Sequence, residues 1–67
     1  MNKIKEMRKR ENLSQVKLAD KLNVSQGLIS HWELGRHNPT TSELIKLAQI
    51  FNCTIDDLIK AEPPHNV

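Results

Sequence analysis

Cysteine and long apolar runs are scarce in this sequence, and their scarcity excludes several classes of protein. The single cysteine, Cys53, cannot form an intrachain disulfide, and no set of cysteines and histidines has metal-site spacing. A small domain without disulfide bonds fits a reducing compartment. No apolar stretch approaches the roughly 20 residues that span a membrane, and no signal-peptide pattern is present. We therefore expect a cytoplasmic protein with no membrane partner and no metal.

The length of the chain limits what it can do. Its 67 residues make one domain, and a domain of this size buries only about 60 % of its unfolded surface. It has no room for an enzyme's second subdomain or for a separate ligand-sensing domain. No nucleophile is paired with a base in a pattern that indicates catalysis. We expect a protein that is not an enzyme and that has no cofactor and no small-molecule ligand.

Charge is distributed unevenly along the chain. The formal net charge is only +2. Residues 1–40 carry eight basic and four acidic side chains, a net charge of +4, whereas residues 41–67 carry two basic and four acidic side chains, a net charge of −2. The N-terminal part is therefore suited to meet a polyanion.

Apolar residues recur at helical spacing throughout, and no segment has the alternation of a strand. The pattern predicts an all-α fold of five helices, at about 2–11, 15–22, 26–34, 41–51 and 55–61. Serine or threonine precedes four of them as a predicted N-cap. Asparagine or glycine follows four of them, where the left-handed conformation that ends a helix is expected. These helices form one domain at 1–61, and Pro63 and Pro64 begin a loose tail at 62–67.

The second and third predicted helices, joined by a turn of about three residues, form a helix-turn-helix. In this arrangement the first helix crosses the DNA backbone and the second lies in the major groove. The starts of both helices offer unpaired backbone N–H groups and a positive dipole end, which suit phosphate contacts.

One set of residues recurs at specific spacings through the predicted helices and the turns between them. Its members are Arg8, Leu13-Ser14-Gln15, Leu18-Ala19, Leu22, Val24-Ser25, Ile29-Ser30, Trp32-Glu33, Gly35, Arg36, Pro39, Leu44, Leu47, Ala48 and Leu58. In this combination they resemble the Cro/C1-type (XRE) helix-turn-helix regulators of phages and bacteria, over about residues 3–60. The resemblance implies a lambda-repressor-like fold that binds double-stranded DNA.

The resemblance also implies roles for residues at the starts of the two helices. Gln15 matches the position that touches the DNA backbone. Gln26 matches the chief base reader, and glutamine can bind adenine N6 and N7 together. Ser25 is an N-cap that could also contact phosphate, and His31 is either a contact or a bystander. Gly27 departs from the family because it has no side chain, so either the backbone approaches the groove closely or fewer bases are read.

Two further sets of residues take roles from the resemblance. Arg36 and Asn38, with His37, lie in the loop that grips phosphates. Arg8 and Glu33 match a buried or half-buried ion pair that orients the reading helix. Without the family pattern, Gln15 and Gln26 would be ordinary solvated residues at helix starts, and Trp32 is predicted to belong to the core.

We therefore expect a transcription regulator, most simply a repressor that binds a near-palindromic operator as a homodimer. The fifth helix supplies the dimer candidates Ile55, Leu58 and Ile59, although these residues could instead be used in the monomer's own core. The alternative is a protein-interaction module, an antirepressor or antitoxin that acts by binding a partner protein such as a repressor or a toxin.

Overall fold

The computed structural model describes residues 3–59, and all regular structure in this range is helical. The helices are α1 (Ile4–Arg10), α2 (Gln15–Leu22), α3 (Gln26–Leu34), α4 (Thr41–Phe51) and α5 (Ile55–Ile59). The predicted all-α fold is confirmed, and α2 and α3 have the predicted bounds. The ends predicted at residues 2 and 61, and the tail at 62–67, lie outside the described residues. Among the described helices, none has both the length and the apolar character needed to cross a membrane.

Side-chain caps begin four of the helices. The hydroxyls of the capping residues accept a backbone N–H three residues further along, as predicted from their spacing. The capping residues are Ser14, Ser25, Thr40 and Thr54. At α4 the cap is reciprocal, because the Thr40 N–H donates to Glu43 Oε1 at 2.8 Å while the Thr40 hydroxyl accepts the Glu43 N–H at 3.2 Å.

Left-handed residues end the first four helices. They are Asn12, Asn23, Gly35 and Asn52, with φ of 56°, 60°, 77° and 54°. At each end the next residue donates its N–H back to the carbonyl five positions earlier, which completes a Schellman motif. In three of the four motifs this next residue packs on the core, namely Leu13, Val24 and Cys53. In the fourth it is Arg36, which is exposed.

The core is built around Trp32 of α3, whose side chain is fully buried, as predicted. Helices α1, α2, α4 and α5 each place at least one apolar side chain against the same cluster. The buried apolar residues are Ile4, Met7, Leu18, Ala19, Leu22, Ile29, Trp32, Leu47, Phe51 and Leu58. Each large one contributes about 1.5–3 kcal/mol by leaving water. The core thus uses one face of α3 and leaves the start of that helix exposed.

Leu58 requires a correction to the predicted dimer surface. Its side chain is fully buried in the monomer core, and its carbonyl accepts the Lys3 N–H at 2.8 Å, so α5 is tied to the start of α1. Because Leu58 has no accessible surface, it has nothing to offer a second copy. Ile55 is partly buried, and Ile59 is 50 % exposed. Ile59 is therefore the main apolar surface that α5 leaves open.

Candidate nucleic-acid interface

Gln15 and Gln26 are the first residues of α2 and α3, and the fold brings them together. Each follows a serine N-cap, so each side chain leaves the first turn of its helix. Gln26 Nε2 donates to Gln15 Oε1 at 2.7 Å. Gln26 is exposed and Gln15 is half-buried. The two predicted contact residues therefore form one polar unit that bridges the starts of the two helices.

An ion pair between Arg8 of α1 and Glu33 of α3 lies directly behind this unit. Arg8 Nε donates to Glu33 Oε2 at 2.7 Å and Arg8 Nη2 to Glu33 Oε1 at 3.1 Å, a bidentate geometry. The side chains are only 10 % and 4 % exposed. Arg8 Nη1 also donates to the Leu13 carbonyl at 2.8 Å, so the guanidinium connects the segment before α2 to α1 and α3. The pair fixes α3 relative to α1 and α2.

The local environment keeps the Glu33 carboxylate ionised. Burial by itself raises the pKa of this carboxyl. Hydrogen bonds from Arg8 and Gln15, with the positive charges of Arg8 and Lys5, outweigh burial, so the pKa of Glu33 lies below its ordinary value of 4.5. At neutral pH the side chain therefore acts only as a hydrogen-bond acceptor.

Gln15 connects the ion pair to the exposed Gln26. Its Nε2 donates to Glu33 Oε1 at 3.0 Å while its Oε1 accepts from Gln26. We call Arg8, Glu33, Gln15 and Gln26 the relay. The sequence pattern predicts the Arg8–Glu33 pair and the two glutamines separately, but not the hydrogen bonds that join them. A glutamine as the first residue of each of two successive helices is the signal that could have indicated this link.

Ser25 and Gly27 lie on either side of Gln26 at the exposed start of α3. The Ser25 hydroxyl accepts the Leu28 N–H at 3.2 Å, which leaves its own hydrogen available to an outside acceptor. A Cβ placed on Gly27 would meet only Ser25 Oγ, at 3.9 Å, an ordinary contact distance. Packing within the described chain therefore gives no reason for glycine at this position.

His31 lies one turn from the end of α3 and is half-buried. Its ring packs edge to face on that of His37, with the centroids 5.1 Å apart. Its Nδ1 is buried without a hydrogen-bond partner among the described residues. Any contact from His31 to DNA would therefore have to use Nε2.

Arg36 and Asn38 are exposed in the segment between α3 and α4. The Arg36 N–H donates to the His31 carbonyl at 2.9 Å, so the backbone at the base of this side chain is held by the end of α3. Neither side chain hydrogen-bonds another described residue within 3–59. The structure thus leaves a guanidinium and an amide open to solvent beside α3, but it does not join them to the relay.

The helix-turn-helix family model matches residues 4–58, which include all five helices apart from the last residue of α5. Among similar proteins, the HTH-type transcriptional activator BcrR of Enterococcus faecalis is 38% identical over 60 residues. The uncharacterized HTH-type transcriptional regulator YqaE of Bacillus subtilis is 33% identical over 64 residues. The alignments cover 90% and 96% of this chain, but only 29% of BcrR and 55% of YqaE.

An archaeal relative is closer to this chain in length. An uncharacterized HTH-type transcriptional regulator of Methanocaldococcus jannaschii is 39% identical over 57 residues, which are 85% of this chain and 86% of that protein. The similarity thus extends over most of a small protein as well as over part of longer ones. The chain belongs to the Cro/C1-type (XRE) helix-turn-helix family.

Proposed function

We propose that this chain binds duplex DNA at specific sequences through α2 and α3 and regulates transcription from those sites. The observation that supports this function best is the exposed Gln26 amide, held in place at the first turn of α3 by Gln15. In a helix-turn-helix, this turn of the second helix is the part that meets base edges. A held amide loses less side-chain freedom on binding than a mobile one, which favours affinity.

Five of the predicted contact residues have a role in this docking. Gln26 reads adenine through N6 and N7. Ser25 donates its hydroxyl hydrogen to a phosphate, and the backbone N–H groups of the first turn add a favourable dipole. Arg36 and Asn38 bind phosphates on the other side of α3. Gln15 contacts the backbone beside α2. His31 is the weakest of the predicted contacts, because one of its ring nitrogens is buried.

The proposal includes a homodimer on a near-palindromic operator. One domain makes too few base contacts for high specificity, whereas a two-fold dimer places two reading helices about 34 Å apart, in successive major grooves. With Leu58 buried, the dimer surface is proposed to centre on Ile59, with the accessible part of Ile55 beside it.

Repression is the simpler sign of regulation. A bound dimer blocks a promoter by occupying it, whereas activation needs a further surface that binds the transcription machinery. BcrR, a longer protein, is an activator by name. A promoter fused to a reporter gene distinguishes the two signs, because a repressor lowers and an activator raises its output.

A second candidate function is binding to a partner protein, a repressor or a toxin. Four large apolar side chains among the described residues are at least 46% exposed, and each offers apolar surface on which a partner protein could pack. They are Val16, Leu34, Ile45 and Ile59. This function would be favoured if the chain bound DNA only together with the product of a neighbouring gene. It would also be favoured if adding the chain abolished the DNA binding of that product.

The experiment that tests the main proposal is selection of binding sites from random duplex DNA, followed by titrations at several salt concentrations. We expect one enriched sequence and an affinity that falls steeply with salt, because phosphate contacts release counterions. Gln26→Ala should reduce preference at one base pair by about 1–3 kcal/mol, whereas Arg36→Ala should weaken all sequences alike and lower the salt slope by about one.

Lys46→Ala is the matched control for Arg36→Ala, because Lys46 is an exposed cation on α4, outside the helix-turn-helix segment. It should leave both the affinity and the salt slope unchanged. If no sequence is enriched by the unmodified chain, or if Gln26→Ala and Arg36→Ala bind the best site as well as the parent does, the proposed docking is wrong.

A further inference from the structure

The hydrogen bonds of the relay all point toward Glu33, from Arg8 on one side and from Gln15 and Gln26 on the other, and chemistry allows no other arrangement while Glu33 is ionised. A carboxylate only accepts hydrogen bonds, so the side of Gln15 that faces Glu33 must be its NH2 group. The opposite end of the Gln15 amide, its carbonyl oxygen, then faces Gln26. Gln26 must therefore donate from its own NH2 group, and its Nε2 lies 2.7 Å from Gln15 Oε1. Glu33, two side chains away in the relay, thus sets the orientation of the exposed Gln26 amide.

This orientation determines what Gln26 has left to offer outside the protein. One of its two N–H hydrogens is used on Gln15. Its Oε1 and its second N–H have no partner among residues 3–59, so Gln26 presents one acceptor and one donor. Adenine presents the complementary pair in the major groove, the N6 donor and the N7 acceptor. Guanine presents two acceptors, O6 and N7, which suit an NH2 group with both hydrogens available.

We propose that Glu33 is a positioning residue for base recognition, which makes Gln26 prefer adenine to guanine by fixing the polarity of the relay. Glu33 touches no base and acts through Gln15. The inference rests on the proposed function, because it requires that Gln26 face a base pair. It assigns Glu33 a role beyond its ion pair with Arg8, since a pair that only orients α3 would not distinguish one base from another.

Two substitutions change the relay in different ways. In Glu33→Gln either end of the new amide can face Gln15. Glu33 Oε1 accepts from both Arg8 Nη2 and Gln15 Nε2, so an amide oxygen at that position keeps both bonds, whereas an NH2 group there donates to Gln15 Oε1 at the expense of the Arg8 Nη2 bond. The polarity of the relay is then no longer fixed. In Gln15→Met both hydrogen bonds of the link are lost, but the Arg8–Glu33 pair remains. Gln26 is then free to turn either end outward. Both variants should therefore lose preference for adenine over guanine.

The test uses the 67-residue chain and the duplex that the unmodified chain selects. The base pair read by Gln26 is the one whose preference Gln26→Ala removes. Four duplexes that differ only at this base pair are titrated with each variant. Gln49→Met and Glu11→Gln are matched controls, because they make the same chemical changes at exposed positions outside the relay. Thermal unfolding followed by circular dichroism reports whether each variant folds.

We expect the ratio of adenine affinity to guanine affinity to fall by about fivefold or more in Gln15→Met, the lower limit of what a bidentate contact contributes. It should also fall in Glu33→Gln, where either end of the Gln26 amide can face outward. The controls should keep the parent ratio. General damage to α3 would instead weaken all four duplexes alike. If Glu33→Gln does not fold, Gln15→Met decides the question alone, because its ion pair is intact.

The results separate the inference from the function on which it rests. If the unmodified chain selects no sequence, the proposed function fails. If it selects one and Gln26→Ala removes the preference at one base pair, but folded Gln15→Met keeps the parent adenine-to-guanine ratio, then the function stands and the role of Glu33 is refuted.

Discussion

Replacing Gly27 with alanine should stabilise the free protein. The added Cβ would meet only Ser25 Oγ, at 3.9 Å, so there is no clash to relieve. Gly27 is the second residue of α3 and its φ is not in the left-handed region, so alanine adopts the same backbone without strain. Glycine in a helix costs up to about 1 kcal/mol relative to alanine, and it also leaves the unfolded chain more freedom.

We therefore expect Gly27→Ala to raise the free energy of unfolding by about 0.5–1 kcal/mol. For a domain of this size, this corresponds to an increase in Tm of a few degrees. The measurement is urea unfolding followed by circular dichroism, and the slope of free energy against urea should not change. Equal or lower stability of the variant would contradict the reasoning, because it would mean that packing or backbone geometry does require glycine.

Gly35→Ala is the matched control, since it is the same substitution with the opposite expected sign. Gly35 has φ of +77°, where a side chain costs about 1 kcal/mol or more, although its Cβ would meet nothing within 4 Å.

DNA titration of the stabilised Gly27→Ala protein then answers a separate question. Weaker binding would mean that DNA approaches the α3 backbone closely, whereas unchanged binding would mean that this position reads no base.

Three other predictions concern the ion pair and the cysteine. Arg8→Met alone should lower the free energy of unfolding by about 3–5 kcal/mol, because it leaves Glu33 charged and unpaired, and Arg8→Met with Glu33→Met should be less destabilising than the single change. Because the pKa of Glu33 is lowered, its contribution to stability is present above its ordinary value of 4.5 and is lost as the pH falls below it, so urea unfolding should lose less stability on acidification in Glu33→Gln than in the parent. Burial, with the nearby Asp57 charge, raises the pKa of the Cys53 thiol above its ordinary value of 9.0, so iodoacetamide should modify the folded chain more slowly than the urea-unfolded chain at the same pH.

The start and end of each helix could be predicted from the sequence because the signals are local. The hydroxyl of a capping serine accepts a backbone N–H from three residues further along. The backbone hydrogen bonds around a left-handed asparagine join residues within a span of six. Such interactions form whenever the helix forms, whatever surrounds it. This is why the positions of Ser14, Ser25, Asn23 and Asn52 are enough to predict their roles at the helix ends.

The relay and the surface of α5 could not be predicted in the same way. Whether Gln15 reaches both Glu33 and Gln26 depends on how α2 crosses α3, which no local pattern specifies. The apolar pattern of α5 predicts which residues face inward together, but not whether the monomer itself covers them. Leu58 is covered completely and Ile59 only half, although both are apolar residues of one five-residue helix.

The position of Glu33 couples the stability of this fold to its proposed recognition of DNA. One carboxylate accepts from Arg8, which orients α3, and from Gln15, which orients the exposed amide. A change at Glu33 therefore alters both properties, whereas a change at Gln26 removes only the last hydrogen bond of the relay, at the surface. Base preference should thus be altered at least cost to folding by substitutions at Gln26, at greater cost at Gln15, and at the greatest cost at Glu33. This order follows the burial of the three side chains, because each step inward leaves a more deeply buried polar group without its partner.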